Sequence, residues 1–346
     1  MSRPLILSLR VVVALLTLFA TLFASQPLIG QLRGPKNCTT QISGPNLSPA
    51  PGEVRFGAIG DTGTGKAPQK TLADRMLEFE NTKASFGALL FLGDNVYKRG
   101  NPKHFPKKLY EPYEKFPGQG VEIRGVIGNH DALNDSGVKE QMAYFRKGLT
   151  SGGGETYYSF SLPSGGKPLV EIFALDSNLL VSKPGRESYT VNTREEQYQW
   201  LERSLSTSNA TWKVIILHHP FYSSAKGHGV KKVDESGNET KIPGEMERLR
   251  TIEGLLTKYS VKLVLAGHDH DFERILPRTQ VGTVHFVSGA GAKLRTKDLN
   301  RKRLPNYHGC GNSQVLSFML FSATSDQLRY WAINENMIVF DSGIIK

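Results

Sequence analysis

The run Ala88-Leu89-Leu90-Phe91-Leu92-Gly93-Asp94-Asn95-Val96-Tyr97 decides how this chain folds. Apolar residues stop abruptly at a glycine, and carboxylate, amide and phenol side chains follow. A short apolar run bounded by turn residues is a buried strand. Polar side chains just beyond its carboxyl end sit where open α/β sheets bind ligands. The pattern recurs on both sides. Val54 to Ile59 runs into Gly60-Asp61-Thr62-Gly63, and Val121 to Ile127 into Gly128-Asn129-His130-Asp131. Val170 to Leu175 runs into Asp176-Ser177-Asn178, Val214 to Leu217 into His218-His219-Pro220, and Val261 to Ala266 into Gly267-His268-Asp269-His270.

Helical spacing separates these strands. Thr71 to Glu80 places Leu72, Met76, Leu77 and Phe79 at helical intervals, Arg194 to Leu205 places Tyr198, Leu201 and Leu205, and Glu245 to Tyr259 places Met246, Leu249, Ile252, Leu255 and Leu256. Farther on, Val284 to Val287, Val315 to Phe321, Leu328 to Ile333 and Met337 to Phe340 read as consecutive strands without long helices. The expectation is an α/β fold: two sheets of mixed strands packed face to face and flanked by helices.

Composition sets the outer limits. The chain has 346 residues, 39% of them hydrophobic, so a large core is available and wholesale disorder is excluded. Two cysteines exclude a Cys-ligated zinc fold. The net charge of +11 favours anionic partners, and the run Lys293 to Arg303 alone holds six basic residues and one acid. No aromatic residue interrupts that run, so it lacks the stacking platform of a nucleic-acid binder.

Residues 1–30 read as an export signal or signal anchor. Arg3 and Arg10 precede Val11 to Ala24, a run shorter than the roughly 20 residues of a membrane span. Residues 31–52 read as a Pro/Gly-rich linker, and 53–346 as the catalytic domain. Export permits a disulfide, so Cys38 and Cys310 either pair or stay as free thiols. It also makes Asn37, Asn46, Asn134, Asn209 and Asn238 acceptor positions for glycans in a host that glycosylates. The protein is expected to be secreted or extracytoplasmic, touching a membrane only through an uncleaved amino terminus.

Asp61, Asp94, Tyr97, Asn129, His218, His268 and His270 form one set of oxygen and nitrogen donors at successive strand ends. Singly each has an ordinary use, as a turn former, a helix cap or a satisfied core imidazole. Together they suit iron, manganese or zinc, and a pair of such ions clamps phosphorus for in-line displacement. Gly60 to Lys66 imitates the start of a phosphate loop, but Ala67 stands where a hydroxyl would hold Mg²⁺. An ATPase is not expected.

The blocks G-D-T-G at 60–63, G-D-N-V-Y at 93–97, G-N-H-D at 128–131, H-H-P at 218–220 and G-H-D-H at 267–270 resemble the calcineurin-like metallophosphoesterases, and within them the purple acid phosphatases of the small, tartrate-resistant type. The resemblance implies Fe³⁺ at Asp61, Asp94, Tyr97 and His270. It implies a divalent ion (Fe²⁺, Zn²⁺ or Mn²⁺) at Asp94, Asn129, His218 and His268, with Asp94 bridging. It further implies hydrolysis of phosphate monoesters by in-line attack of a metal-bound hydroxide. His130 would contact substrate, Asp131 would orient His130, and His228 would protonate the leaving alcohol. Leu179 to Thr193 corresponds to a loop that covers the site in mammalian-type members. The substrates expected are small phosphate monoesters or phosphoproteins, with no specific nucleic acid, acted on by a monomer. A phosphodiesterase or nucleotide hydrolase on the same centre, or a catalytically idle metal-binding module at the surface, are the other readings.

Overall fold

The computed structural model describes residues 38–149, 152–163, 168–182, 189–236, 238–276, 282–300 and 308–345. The expected signal at 1–30 and the glycan site at Asn37 lie outside them. Among the described residues no helix is long and apolar enough to cross a membrane.

In chain order the strands are β1 (Val54–Ile59), β2 (Ala88–Phe91), β3 (Glu122–Gly125), β4 (Tyr158–Leu162), β5 (Val170–Ala174), β6 (Trp212–Ile216), the short hairpin β7 (Lys232–Val233) and β8 (Glu239–Lys241), β9 (Leu263–Ala266), β10 (Phe272–Ile275), β11 (Val284–Ser288), β12 (His308–Asn312), β13 (Ser317–Ala323), β14 (Leu328–Asn334) and β15 (Val339–Ile345). One sheet has the order β15-β14-β13-β1-β2-β3 and the other β12-β10-β11-β9-β6-β5-β4. Both are mixed. β1, β2 and β3 run parallel to one another, as do β5, β6, β9 and β11. The remaining neighbours in the two sheets pair antiparallel.

Side-chain alternation builds the layers. On β2, Ala88 and Leu90 join a core shared with Val214, Ile216, Leu263, Leu265 and Phe286 of the other sheet. Leu89 and Phe91 point the opposite way, onto Leu72, Met76 and Phe79 of helix α1 (Ala67–Thr82). On β9, Val264 and Ala266 turn outward to helices α4 (Arg194–Thr207), α5 (Gly244–Arg250) and α6 (Glu253–Lys258). The expected two-sheet sandwich flanked by helices is the architecture found. Two further helices are α2 (Asp135–Phe145), which follows the Asn129 loop, and α3 (Ser177–Val181), capped by Asp176 at the end of β5.

Two local expectations change, and one left open is decided. The helix expected over Glu245 to Tyr259 breaks into α5 and α6. The Arg194 guanidinium binds the Arg248 carbonyl at 2.8 Å, and the chain tightens so that Ile252 N–H bonds Leu249 O at 3.2 Å. The segment 38–52 is fastened rather than free: Cys38 is bonded to Cys310, and Gln41 N–H reaches Ser342 O at 3.2 Å. Of the expected covering loop, Leu179, Leu180 and Val181 are instead buried in α3. Lys183, Pro184, Gly185 and Arg186 lie outside the described residues.

Candidate metal centre

Because β1, β2 and β3 run parallel, their carboxyl ends open on one side, and the ends of β6 and β9 meet them there. Backbone hydrogen bonds join the loops: Asp61 N–H to Gly93 O at 3.0 Å, and Gly267 N–H to His218 O at 3.0 Å. Asp61, Asp94 and His268 take positive φ of 58°, 53° and 74°, a left-handed backbone that non-glycine residues seldom adopt.

All seven expected donors come together. Tyr97 Oη lies 2.8 Å from Asp61 Oδ1 and 3.2 Å from His270 Nε2. Asn129 Oδ1 lies 2.9 Å from His218 Nε2 and 3.1 Å from His268 Nδ1. Those two ring nitrogens are 3.1 Å apart. Asp94 stands between the halves, its Oδ1 3.4 Å from His218 Nε2, and Asp61, Asp94 and His218 offer donor atoms within 4.8 Å of one another. Supporting contacts aim them. The Leu92 carbonyl at 2.9 Å takes His218 Nδ1 and leaves Nε2 facing inward, and His268 N–H donates to Asp61 Oδ2 at 2.7 Å.

The charges fit cations. Asp61 and Asp94 are buried, and no Lys or Arg among the described residues pairs with either. Burial, opposed by the His218 ring and reinforced by Asp94, pushes Asp61 up to about 7. Burial, then the charges of Asp61 and Asp94, drives the Tyr97 phenol far upward. Burial and the neighbouring imidazoles hold His268 well below its ordinary value, and burial with Lys293 and Arg295 lowers His270 to about 4. Neutral imidazoles offering lone pairs, beside buried carboxylates that no described Lys or Arg pairs with, are what a bound cation requires.

The profile of the Calcineurin-like phosphoesterase family matches residues 54–272. The chain belongs to that family. It is a hydrolase, and its relatives are acid phosphatases. The tartrate-resistant acid phosphatase type 5 of Rattus norvegicus is 26% identical over 271 residues, 73% of this chain and 77% of that one. The Fe(3+)-Zn(2+) purple acid phosphatase 12 of Arabidopsis thaliana is 30% identical over 229 residues, 63% of this chain and 43% of that one. A purple acid phosphatase from yellow lupin seeds superposes with a TM-score of 0.62 at 16% identity, covering 87% of this chain and 55% of that one. The Plasmodium inner-membrane-complex anchor GAP50 gives 0.66 at 16% identity, covering 85% and 89%.

Around this phosphoesterase centre the flanking residues divide. His130 Nε2 lies 4.0 Å from Asp94 Oδ2, and its Nδ1 is held by the Lys98 carbonyl at 2.7 Å. His228 stacks beside His268 with ring centroids 4.1 Å apart, and its Nδ1 meets Asp269 Oδ1 at 2.9 Å. The hydrogen bond to Asp269 raises His228 above its ordinary value against the pull of burial. Asp131 does not orient His130, contrary to expectation. Its carboxylate accepts from the backbone N–H groups of Asn95, Val96 and Gly128 at 2.9–3.0 Å. It therefore ties the Asp94–Tyr97 loop to the Asn129 loop. His219 turns aside to the Ser177 hydroxyl at 2.9 Å. Two further residues reach the centre that the sequence did not assign to it. Lys293 Nζ stands 3.4 Å from the centroid of the Tyr97 ring, and the Lys108 ammonium donates to the Tyr97 carbonyl. Only the fold brings either one near residue 97.

Proposed function

We propose that the chain is an exported, monomeric acid phosphatase that hydrolyses phosphate monoesters at a dinuclear centre of Fe³⁺ and a divalent ion. The observation that carries this reading is the Tyr97 hydroxyl packed against Asp61 and His270 inside the donor cluster. A phenol is a poor ligand unless a strongly acidifying ion displaces its proton, since its unperturbed pKa is about 10. Asp61, Asp94, Tyr97 and His270 would hold the trivalent ion, and Asp94, Asn129, His218 and His268 the divalent one. When bound, such a pair polarises phosphoryl oxygens and makes water nucleophilic at acidic pH.

The chain's own residues supply the rest. The Lys98 carbonyl fixes the His130 proton on Nδ1, so Nε2 faces the site and can donate to a phosphoryl oxygen when charged. His228, held by Asp269, keeps its proton to a higher pH than a free imidazole and delivers it to the departing alkoxide. The Cys38–Cys310 disulfide supports an oxidising compartment and hence export.

The test is metal content and turnover on the purified full chain. Two ions per molecule and faster hydrolysis of p-nitrophenyl phosphate than of bis(p-nitrophenyl) phosphate support the proposal. Preference for the diester shifts the assignment to a phosphodiesterase. Two bound ions with no turnover of either overturns the enzymatic reading.

A further inference from the structure

Two sequence features have no part in that reading: the lysine that ends Gly60 to Lys66, and the basic run 293–303. The fold brings parts of both to one place. A cavity of about 710 Å³ opens over Tyr97, His130 and His270. Lys66 lines it from the first feature, Lys293 and Arg295 from the second, and Lys98 and Lys108 complete the wall. Among the described residues no aspartate or glutamate lines this cavity.

These cations are unevenly engaged. Lys108 donates to the Tyr97 carbonyl, and Arg295 Nη1 lies a loose 3.7 Å from Asp298 Oδ2. Among the described residues Lys66, Lys98 and Lys293 have no carboxylate within ion-pair distance. Burial holds Lys293 below its ordinary value; Asp61 and Asp94 pull it the other way, and Arg295 and Lys66 repel it. Gathered like charges of this kind are unfavourable until an anion enters. One phosphate dianion seated at the donor cluster and His130 leaves most of that wall unanswered. Among the described residues Tyr97 is the one tyrosine that lines the cavity, and Lys293 stands over its ring. The chemistry recognised here is phosphoryl oxygen.

We propose that Lys66, Lys293 and Arg295 form a second anion subsite, which takes the non-scissile phosphoryl group of a substrate carrying two, such as a diphosphate. This rests on the phosphatase reading above, and it names the substrate class of that same site.

ADP and AMP isolate the effect, because they differ by one phosphoryl group. The metal-replete full chain is compared with the Lys66→Gln/Arg295→Gln double variant and with the charge-conserving Lys66→Arg/Arg295→Lys pair, all at one ionic strength. The ratio of kcat/KM for ADP over AMP falls about tenfold in the glutamine variant, and the charge-conserving pair restores it to within about twofold. An unchanged ratio in the glutamine variant overturns the subsite, leaving only general steering of anions. An equal fall in both variants also overturns it. Should the wild-type chain turn over neither nucleotide, calorimetry decides the subsite, and the phosphatase reading stands or falls separately on p-nitrophenyl phosphate. Tighter binding of ADP than AMP, lost in the glutamine variant, sustains it; equal binding of the two refutes it.

Discussion

Replacing Cys38 with serine tests the segment that fastens the amino-terminal side of the domain. Cys38 and Cys310 are joined across 272 residues of chain. A cross-link closing so long a loop removes about 5–6 kcal/mol of entropy from the unfolded chain at 25 °C in the loop-closure account. One feature of the structure brings the expected loss below that. The segment keeps other ties: Thr39 N–H to Asp341 Oδ1 at 3.1 Å, Ser342 N–H to Thr39 O at 3.0 Å, and the Trp331 indole to Ser43 O at 2.8 Å. At roughly 1 kcal/mol apiece these hold the strap weakly, so it can peel away before the sandwich opens. The cost is then capped at about 4 kcal/mol, within the usual range for a native disulfide. Cys38 is the better site to change, because Cys310 is fully buried and a hydroxyl there would add its own penalty.

At about 2–3 °C per kcal/mol for a domain of this size, Tm falls about 8–12 °C. The assay is a thermal melt of Cys38→Ser beside the wild-type chain, each with and without reductant. Reductant should bring the wild type down to the variant and leave the variant unmoved. A variant melting within about 2 °C of the oxidised wild type would show that the cross-link constrains nothing the contacts above do not already hold.

Three further outcomes follow from the centre. Tyr97→Phe removes the oxygen lying 2.8 Å from Asp61, so the iron-loaded protein should lose a visible phenolate-to-iron band while its far-ultraviolet dichroism is unchanged; a retained band takes Tyr97 out of the ligand set. Asp131→Asn turns an amide toward backbone donors at Asn95, Val96 and Gly128, which should lower stability by about 3 kcal/mol in urea titration and loosen metal retention on dialysis; stability within about 0.5 kcal/mol of wild type contradicts its role as a tie between loops. His228, its pKa raised by Asp269, stays protonated above the ordinary imidazole value, so activity that needs its proton falls as pH rises through that raised pKa; the alkaline limb of kcat/KM should disappear in His228→Asn, and an identical limb in that variant assigns the proton elsewhere.

What could be read from the chain beforehand, and what could not, follows from the range of each interaction. The ligand loops were legible because each begins where an apolar run ends, a purely local signal. Strand β10, Phe-Glu-Arg-Ile, was missed because Glu273 and Arg274 are buried. Their partners, Ser224 and Asp341, lie 49 and 67 residues away. The break between α5 and α6 depends on Arg194, which is 54 residues before the carbonyl it binds. Helix α2 escaped notice although Asn134, which had stood out as a glycan site, caps it by accepting Gly137 N–H at 2.8 Å. The role given to Asp131 failed for a related reason. Adjacency to His130 suggested a partner, but the carboxylate is consumed by backbone donors that sequence cannot place.

The recurrent glycine before a ligand has a cause beyond turn formation. A Cβ on Gly93 would stand 2.6 Å from His218 Nδ1, one on Gly267 would stand 2.7 Å from Asp61 Oδ2, and one on Gly128 would stand 2.1 Å from Asp94 N. Each loop's glycine is therefore the surface on which another loop's ligand residue rests. The left-handed residues Asp61, Asp94 and His268 each cost on the order of 1–3 kcal/mol in backbone strain, which persists only where surrounding contacts over-determine the conformation. Those contacts are the cross-loop bonds through Gly93 O, Leu92 O and Asp61 Oδ2, and they close only because the glycines allow the approach. The donors are thus held in register by one another's backbones before any ion arrives. A substitution at a single glycine would displace a ligand in a different loop from the one it alters.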